Sequence, residues 1–376
     1  MSHRHTDVLV IGAGIVGAAC AHELAHAGLS VHVVDARLGG ATQAGMGHLV
    51  AMDDNAAELA LSSASLEIWK AWGPRMNATA PGCAYTRCGT MWIAARDEEM
   101  AEAERKQARL HACGIPATLL NARQLATAEP ALRAGLAGAL QVPGDGLVYA
   151  PGAARWLLAH APATLSFEAV EVREIDAQGA VLNDGTRRNA NAVVLAAGMP
   201  AARLCADLPL HPKKGHLAIT DRYPFAIHHQ LVELGYMAST QQREGAAVAF
   251  NVQPRPTGQL LIGSSRQVGE ADPAIEPAVL SRMLKLAIDY LPALSGHDII
   301  RTWTGVRAAT PDGLPIIGPH PTRKGLWLAV GHEGLGVTTA PATAKLLTAL
   351  ITGAPPPLDA APFSATRHFP VHKAAT

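Results

Sequence analysis

The sequence predicts an α/β fold that combines a parallel sheet with a second, mostly antiparallel α+β domain. Three observations predict it. A buried strand, a glycine-rich turn, a helix and a second buried strand follow one another within residues 7–35. Buried strand patterns return at residues 192–197 and 326–330. Residues 210–265 alternate polar and apolar side chains and are broken by glycine and proline, which is typical of antiparallel strands.

The N-terminal elements define the parallel sheet. Residues 7–11 and 29–35 are short apolar runs that predict buried strands, and Ile15–His26 between them predicts a helix with small residues on one face. A strand, helix and strand in this order form a parallel pair joined by a right-handed crossover. The sequence therefore predicts a Rossmann-like sheet at the start of the chain.

Later elements divide the chain into two interleaved domains. A turn is expected at residues 143–146, short strands begin near residue 165, and helices are expected at residues 62–72, 97–113, 152–160, 277–291 and 334–352. The helix at residues 97–113 is so rich in charge that we expect a solvated face. The nucleotide-binding domain is predicted at residues 1–80, 145–205 and 305–376. The substrate-binding domain is predicted at residues 81–144 and 206–304.

The composition excludes several classes of protein. Of the 376 residues, 49% are hydrophobic and 16% are charged, which fills a sizeable core and leaves little room for disorder. Lys and Arg number 31, as do Asp and Glu, so no basic excess indicates a nucleic-acid partner. No apolar stretch reaches the roughly 20 residues of a membrane span, and the apolar run at residues 8–11 is too short for a signal peptide. We expect a soluble cytoplasmic protein.

The cysteine pattern indicates free thiols. Five cysteines are an odd number, and no tight C-x-x-C pair occurs among them. This argues against a disulfide framework and against a zinc knuckle. Cys83 and Cys88 lie close in sequence, but we expect two free thiols. No metal site is predicted.

The turn after the first strand matches a dinucleotide-binding fingerprint. The spacing G-x-G-x-x-G is formed by Gly12, Ala13, Gly14, Ile15, Val16 and Gly17. The three glycines permit a tight turn, close approach of a pyrophosphate, and close packing of helix on strand. The helix N-terminus offers N–H groups to the anion, and Asp35 can accept hydrogen bonds from a ribose diol. An acid at this position disfavours NADP, while NAD and FAD both stay open.

Four further segments resemble a known family. Residues 307–318 fit R-x-x-T-P-D-G-x-P-x-I-G, residues 331–338 form a glycine-rich turn, residues 196–198 read Ala-Ala-Gly, and residues 212–216 read Pro-Lys-Lys-Gly-His. Together with the glycine loop, and in their order along the chain from about residue 7 to residue 353, they resemble the D-amino-acid oxidase/glycine oxidase/sarcosine oxidase superfamily. The resemblance implies a FAD-dependent enzyme that oxidises an amino or imino acid. FAD is expected to be non-covalent, because no cysteine lies near residues 305–335 to tether it.

Within this superfamily the chain is similar to the flavin-bearing β subunits of heteromeric amine dehydrogenases. The loop at residues 44–48, Ala-Gly-Met-Gly-His, and the turn at residues 331–338 resemble the D-hydroxyproline dehydrogenase branch. The resemblance implies oxidation of a D-amino or cyclic imino acid, with cis-4-hydroxy-D-proline as the best candidate, to the imine by hydride transfer to flavin N5. Electrons would pass to an acceptor or a partner subunit.

Two other functions stay open. The first is an oxygen-using oxidase of the glycine or sarcosine type, which would release hydrogen peroxide. The second is a non-catalytic, flavin-bound subunit of a larger complex, which the presence of Arg307 and the glycine-rich turn disfavours.

The resemblance also implies the catalytic residues. Arg307 is expected to hold the substrate carboxylate, because a guanidinium grips a carboxylate with two parallel hydrogen bonds. The alternative is a structural ion pair with Asp312 or another acid. His48 could donate to the flavin or touch the substrate, and with a pKa near the unperturbed value it could also help to deprotonate the substrate ammonium. Tyr236 is a candidate to close the pocket, as are Gln253 and Trp303.

The remaining candidates contact the cofactor. Backbone N–H groups at the start of the last helix are expected to stabilise negative charge at the flavin N1–C2=O edge; this turn comprises His332, Glu333, Gly334, Leu335, Gly336, Val337 and Thr338. Other expected contacts, besides the glycine loop and Asp35, are Ala36, Arg37, Thr42, Gln43, Gly45, Met46, Gly47, His48, Val172, Ala197 and Gly198. Lys213, Lys214 and His216 are expected to form a solvated charge run.

Overall fold

The computed structural model describes residues 6–222, 227–235 and 246–369. The strands are β1 (Thr6–Ile11), β2 (Val31–Asp35), β3 (His48–Leu49), β4 (Thr90–Ala94), β5 (Thr118–Asn121), β6 (Gly138–Val142), β7 (Gly146–Leu147), β8 (Leu165–Ala169), β9 (Val172–Asp176), β10 (Gly179–Leu182), β11 (Arg187–Leu195), β12 (His211–Arg222), β13 (Gln230–Glu233), β14 (Ala247–Pro254), β15 (Gln259–Val268), β16 (Ile299–Ala309), β17 (Ile316–Pro319) and β18 (Leu326–Val330).

The helices alternate with these strands. They are α1 (Ile15–His26), α2 (Ala41–Ala44), α3 (Ala56–Thr79), α4 (Asp97–Ala112), α5 (Ala122–Ala128), α6 (Ala150–Ala159), α7 (Ala201–Leu204), α8 (Pro277–Tyr290) and α9 (Gly336–Thr352). A 3-10 turn, Glu333–Leu335, leads into α9.

The first sheet is the predicted parallel sheet. Its order is β17-β18-β11-β1-β2-β8, and all neighbours run parallel except β17, which lies antiparallel to β18. Side chains alternate along β1, so Val8 and Val10 join the core beneath α1 and α9 while Leu9 and Ile11 join the core on the other face. β9 and β10 extend the sheet from β11 by antiparallel pairing.

The second sheet is mostly antiparallel, as predicted. Its order is β16-β12-β15-β14-β13-β4-β6-β5, and β13 runs parallel to β4. One face is covered by α8, where Phe250 and Val252 pack with Met283. The opposite face looks toward the first sheet and carries a small cluster in which Met46, from the loop after β2, packs with Leu217 and Leu261.

The two sheets draw on separate parts of the chain. The first uses residues 6–35, 165–195 and 316–330, and the second uses residues 90–142 and 211–309. This separation supports the predicted division into a nucleotide-binding and a substrate-binding domain, which we therefore propose. Residue 305, a predicted boundary, lies inside β16, so the strand that carries Arg307 belongs to the second sheet.

Two predicted elements differ from the structure. The helix predicted at residues 62–72 extends over the whole of α3, because Pro74 is accommodated inside it. The helix at residues 97–113 has mostly exposed charges, but Lys106 is buried and pairs with the buried Asp53. The five cysteines are free, as expected.

The last helix is apolar enough to attract attention. Within the described part of the chain, residues Glu333–Thr352 would suffice to cross a membrane by length and composition alone, and 56% of that segment is buried in the fold. α9 packs against α1 and α3, and both faces of this contact contribute to one hydrophobic core. We interpret it as a core helix.

Candidate active site

The glycine loop leaves no room for side chains. Gly12 has a φ of 106°, and a Cβ there would lie 2.5 Å from the carbonyl oxygen of Ala196. A Cβ on Gly17 would lie 1.9 Å from the carbonyl oxygen of Gly12. The loop therefore packs α1 tightly against the ends of β1 and β11, which is the geometry that a pyrophosphate-binding turn requires.

Asp35 is held at the end of β2 beside this loop. Its Oδ2 accepts a hydrogen bond from the backbone of Ala13 at 2.7 Å, and its Oδ1 accepts one from Arg37 at 2.6 Å. Arg37 adopts a φ of 54° to make that contact. Ala36 lies between them. The carboxylate is thus fixed where a ribose diol would meet it.

Thr42 lies over the start of α1. Its Oγ1 accepts a hydrogen bond from the backbone of Ile15 at 3.0 Å, and Gly14, the residue before the helix, provides no side-chain cap. The first N–H groups of α1 therefore face Thr42 and the space beside it, where an anion would be favoured. Gln43 lies near Gly39 in the same loop.

Val172, Ala197 and Gly198 lie at the same end of the first sheet. Val172 begins β9, and its carbonyl oxygen accepts a hydrogen bond from Arg203 at 3.3 Å. Ala197 and Gly198 follow β11, next to Gly12. These positions agree with an adenosine site at the carboxyl ends of the parallel strands.

The glycine-rich turn meets the first loop across the molecule. Gly336 starts α9, and a Cβ there would lie 3.7 Å from Cγ2 of Val16. His332 is buried, with Nε2 3.1 Å from the hydroxyl of Thr343, and burial lowers its pKa to about 3. Glu333 has a φ of 46°. The N-terminus of α9 thus lies beside the loop that would hold the pyrophosphate.

The side chain of Thr338 contacts the loop that carries His48. Its hydroxyl is buried, donates to the carbonyl oxygen of His48 at 2.9 Å and lies 3.4 Å from the backbone N–H of Val50. The indole of Trp69 donates to the carbonyl oxygens of Val337 and Thr338. Thr338 therefore fixes the loop that carries His48, and its hydroxyl is already engaged.

The prediction that Lys213, Lys214 and His216 form a solvated charge run is wrong. Lys213 pairs with Glu333 at 3.0 Å, and Lys214, only 1% exposed, pairs with Glu276 at 2.8 Å. His216 is equally buried and accepts the backbone N–H of Glu276. β12 is an interior strand of the second sheet, so its lysines reach acids on neighbouring elements.

Glu333 joins two cations next to the turn. It pairs with Lys213 and, at 3.2 Å, with Arg266. Burial alone raises the pKa of Glu333, but Arg266 and Lys213 outweigh it and hold that pKa below its ordinary value. On the other side, at the start of α3, burial together with Asp54 and Glu333 raises the pKa of Glu58 to about 8.

Arg307 is positioned by backbone contacts. Its Nη1 donates to the carbonyl oxygen of Ser265 at 3.2 Å, and a Cβ on Gly215 would lie 2.7 Å from Nη2. The bare glycine therefore lets the guanidinium lie across β12, and Gly334 of the turn lies on its other side. Among the described residues Arg307 forms no direct ion pair, but its charge helps to lower the pKa of Glu333.

Asp312 has other partners. Arg367 donates to its two carboxylate oxygens at 2.7 Å and 3.4 Å, and Thr310 donates at 3.0 Å. These contacts, led by Arg367 against the effect of burial, lower the pKa of Asp312 to about 2. A structural pair between Arg307 and Asp312 is therefore absent from the described structure.

His48 lies on β3 and faces the second sheet. Its Nε2 is 3.1 Å from Oδ1 of Asn251 and 3.2 Å from Nε2 of Gln253. Burial lowers its pKa to about 4, and nearby Arg255 adds to this effect. The expectation that His48 has a near-unperturbed pKa, on which its role as a base depended, is therefore wrong. The ring is neutral at pH 7.

The loop before His48 is held in place by contacts with other elements. Gly47 has a φ of 85°, and a Cβ there would lie 1.9 Å from the carbonyl oxygen of Val148. Arg255 donates to the carbonyl oxygen of Met46 at 2.9 Å. Trp303 donates to that of Ala44 at 3.0 Å, so it anchors the loop. Gly45 lies between these anchors.

One predicted site residue cannot be placed, and two residues near the site were not predicted. Tyr236 lies outside the described residues. Asn251 was missed, although the period of two along β14 places it on the same face as Gln253. Ser265 was missed because it contributes a backbone oxygen, which carries no sequence signal.

One group of potential metal ligands occurs among the described residues. Cys205, Asp207 and His320 bring their ligand atoms within 4.8 Å of one another. The thiol donates to Asp207 at 3.0 Å, and burial raises the pKa of Cys205 to about 12. Nδ1 of His320 accepts the backbone N–H of Arg323 at 3.1 Å. A protonated thiol is a poor ligand, so these contacts favour a local structural cluster.

Comparisons with known proteins agree along the whole chain. The family described as DAO, FAD dependent oxidoreductase, matches residues 7–350. Glycine oxidase from Geobacillus kaustophilus (strain HTA426) is 32% identical over 387 residues and covers 98% of each chain. Hydrogen cyanide synthase subunit HcnC from Pseudomonas aeruginosa is 28% identical over 433 residues, covering 98% of this chain and 97% of that protein.

A solved structure shows the same architecture. The crystal structure of glycine oxidase from Geobacillus kaustophilus superimposes with a TM-score of 0.86 at 28% identity, covering 97% of this chain and 100% of that chain. The similarity therefore includes both sheets and the turn between β18 and α9.

Proposed function

Because the chain belongs to the DAO family of FAD-dependent oxidoreductases, we propose that it oxidises a D-amino or cyclic imino acid, with cis-4-hydroxy-D-proline as the best candidate. The family uses FAD, and its similar members include a glycine oxidase and D-amino acid dehydrogenases, which act on CH–NH2 or CH–NH groups. Beyond the activity of the family, we propose a particular substrate and the transfer of electrons to an acceptor or a partner subunit.

The residues of this chain fit FAD at both ends. Gly12 and Gly17 leave the close approach that a pyrophosphate needs, and Asp35 is fixed for the ribose. The turn before α9 presents backbone N–H groups beside them. The five cysteines are free, and none lies on β16, β18 or the turn before α9, so non-covalent binding is expected.

The position of Arg307 is the observation that carries the proposal. Arg307 is half-buried, and its charge interacts with that of Glu333 without a direct ion pair among the described residues. Only its Nη1 has a hydrogen-bond partner there, so its other N–H groups remain for an anion. The guanidinium lies between Gly215 and Gly334, next to the turn that would face the flavin. A substrate carboxylate would complete it with two charge-assisted hydrogen bonds.

The other residues orient the substrate. Bound FAD supplies the hydride acceptor. Arg307 holds the carboxylate, which directs the carbon that bears the amine toward the turn at Glu333–Leu335. His48 is neutral at pH 7 and offers hydrogen bonds rather than a strong base. The loop anchored by Trp303 and Arg255 keeps that ring in place.

Two observations support the hydroxyproline branch and a partner subunit. The loop at residues 44–48 and the turn at residues 331–338, which carried the resemblance, both lie at the candidate site. The similarity to a protein named as a subunit, HcnC, supports transfer of electrons to another subunit or acceptor.

The similarity to glycine oxidase favours a second candidate function. A protein of that name is 32% identical over nearly the full length of both chains, which supports an oxidase that reduces oxygen to hydrogen peroxide. A non-catalytic flavoprotein subunit remains a third candidate, and the completeness of the site argues against it.

Anaerobic reduction of the flavin tests these candidates. FAD-loaded protein is mixed with D-amino acids, D-proline derivatives, sarcosine, glycine and opines, and bleaching of the flavin absorbance is followed. We expect the fastest bleaching with cis-4-hydroxy-D-proline. In air, stoichiometric peroxide would favour the oxidase, and activity only with an artificial acceptor would favour the dehydrogenase. Bleaching by none of these substrates, with partners present, would leave the non-catalytic subunit.

A further inference from the structure

A polar cluster lies on the sheet face that looks toward Arg307. Asn251 and Gln253 alternate along β14 with Phe250 and Val252, which pack into the core beneath α8. Because side chains alternate between the two faces of a strand, Asn251 and Gln253 point to the opposite face. They meet His48 there.

Asn251 and the backbone contact of Arg307 lie close together on neighbouring strands. Asn251 pairs with Gly263 on β15, and Arg307 donates to Ser265, two residues further along that strand. With about 4.8 Å between strands and about 3.3 Å per residue, the backbone positions of Asn251 and Ser265 lie about 8 Å apart. A small ring whose carboxylate is held by Arg307 can therefore extend toward Asn251. Met46 packs against Gly263 and closes one side.

One tautomer of His48, with its hydrogen on Nε2, can serve both amides of the cluster. Nε2 faces two amides, at 3.1 Å and 3.2 Å. With its hydrogen on Nε2, the ring donates to Oδ1 of Asn251. Oε1 of Gln253 is buried without a partner among the described residues. Turning that amide over would give Nε2–H a second acceptor, so both amides favour the same tautomer.

This arrangement leaves the amide donor of Asn251 for a ligand. Nδ2 of Asn251 keeps its hydrogens and forms no hydrogen bond with a described residue. Nδ1 of His48 also keeps its lone pair, but that lone pair points away from Asn251, so His48 orients the amide. Because the amide is uncharged, it suits a neutral acceptor such as a hydroxyl oxygen.

We propose that Asn251, oriented by His48, forms a hydroxyl-binding subsite that selects hydroxylated amino or imino acids. The substrate hydroxyl accepts from Nδ2 of Asn251, while Arg307 holds the carboxylate. This inference rests on the proposed function and deepens it by naming the residues that distinguish a hydroxylated substrate from its unsubstituted analogue.

The test is a ratio of two substrates. Anaerobic flavin reduction is measured with cis-4-hydroxy-D-proline and with D-proline, and kcat/KM for the first is divided by kcat/KM for the second. The wild type should prefer the hydroxylated substrate. In Asn251→Leu, which has a similar volume and no donor, that ratio should fall about tenfold, the value of one hydrogen bond.

A matched control lies on the other face of the same sheet. Gln141 on β6 also places its amide against an imidazole, 3.0 Å from Nε2 of His229, but it shares its face with Ala139 of the core beneath α8. Gln141→Met should leave the ratio unchanged. A general loss of stability lowers kcat/KM for both substrates by the same factor, so the ratio does not change.

A binding measurement gives the same comparison without turnover. Tetrahydrofuran-2-carboxylate and its 4-hydroxy derivative have no amine to oxidise, and their dissociation constants from the FAD-loaded protein should differ in favour of the hydroxylated compound. In the wild type the two 4-hydroxy epimers of D-proline should also differ at least about tenfold in kcat/KM, because the subsite is fixed on one side of the ring.

The outcomes distinguish failure of the subsite from failure of the proposed function. Equal use of the epimers, or a ratio that Asn251→Leu does not change, would overturn the subsite and leave the proposed oxidation intact. If neither proline derivative reduces the flavin while glycine or sarcosine does, the hydroxyproline assignment fails and the subsite fails with it.

Discussion

Arg307 is the residue whose removal tests the site most directly. Arg307→Leu should lower kcat/KM by on the order of 2–5 kcal/mol of transition-state stabilisation, because the substrate carboxylate loses its partner in a desolvated site. Steady-state kinetics on the purified variant measure this. FAD content should be unchanged.

Arg301 provides the control for that experiment. It lies on the same strand, β16, but is exposed and stacks over Trp303. Arg301→Leu should leave kcat/KM within about twofold, since an exposed charge contributes little. Equal kinetics for Arg307→Leu and the wild type would remove Arg307 from the site.

His332 makes stability depend on pH. In the unfolded chain its imidazole titrates at about 6.5, and in the folded protein burial lowers the pKa to about 3. The unfolded state therefore binds more protons as pH falls below 6.5, and the folded state loses about 2 kcal/mol of stability between pH 7 and pH 5 from this residue. In His332→Gln the difference in unfolding free energy between these pH values, measured with urea, should shrink by about that amount. The same difference as in the wild type would contradict the assignment.

At the scale of elements, the junction of β1, α1 and β11 controls cofactor binding. Gly17→Ala would place a Cβ 1.9 Å from the carbonyl oxygen of Gly12, so α1 must move away from the strand. We expect a loss of at least about tenfold in FAD affinity, since a shift of the helix N-terminus withdraws its N–H groups from the pyrophosphate. Fluorescence titration of the apoprotein with FAD measures the change.

Gly144 is the matched glycine for that variant. It lies in the turn between β6 and β7, and a Cβ there would meet no atom within 4 Å. Gly144→Ala should bind FAD like the wild type. If both variants bind FAD equally well, close packing at Gly17 is not what the cofactor requires.

Elements with a strong local pattern were predictable, and others were not. The bounds of α1 and β18 agree with the sequence, because helical and buried-strand periodicity is unbroken there. The pieces of the second sheet between residues 90 and 142 were not predicted, because β5 and β6 are short and their pairing connects distant segments. The prediction that Lys213 and Lys214 are solvated was wrong, since their acid partners lie far away in the chain.

The site was predictable only in part for the same reason. The glycine loop and the turn before α9 have motifs whose spacing reflects backbone geometry. The backbone oxygen of Ser265 and the amide of Asn251 reach the site through strand pairing, which no local pattern reports.

At the scale of the whole molecule, FAD should act as a stabilising ligand. It would contact segments from the start, middle and end of the chain, so the folded state alone can bind it. With free FAD at about 100 times its dissociation constant, linkage adds about 2.7 kcal/mol to the unfolding free energy. Thermal unfolding of apoprotein with added FAD should show a higher Tm. FMN, which lacks the half that Asp35 would hold, should give a much smaller shift, and equal shifts would contradict the adenosine site.

The contact between Val16 and Gly336 has a consequence for how the protein is made. The first of these residues leaves the ribosome long before the second. A nascent chain can therefore form β1, α1 and β2 long before the surface that completes the cofactor site exists. Stable loading with FAD must await the emergence of α9, and a message truncated before α9 would yield a chain that has the nucleotide fingerprint but cannot keep the nucleotide.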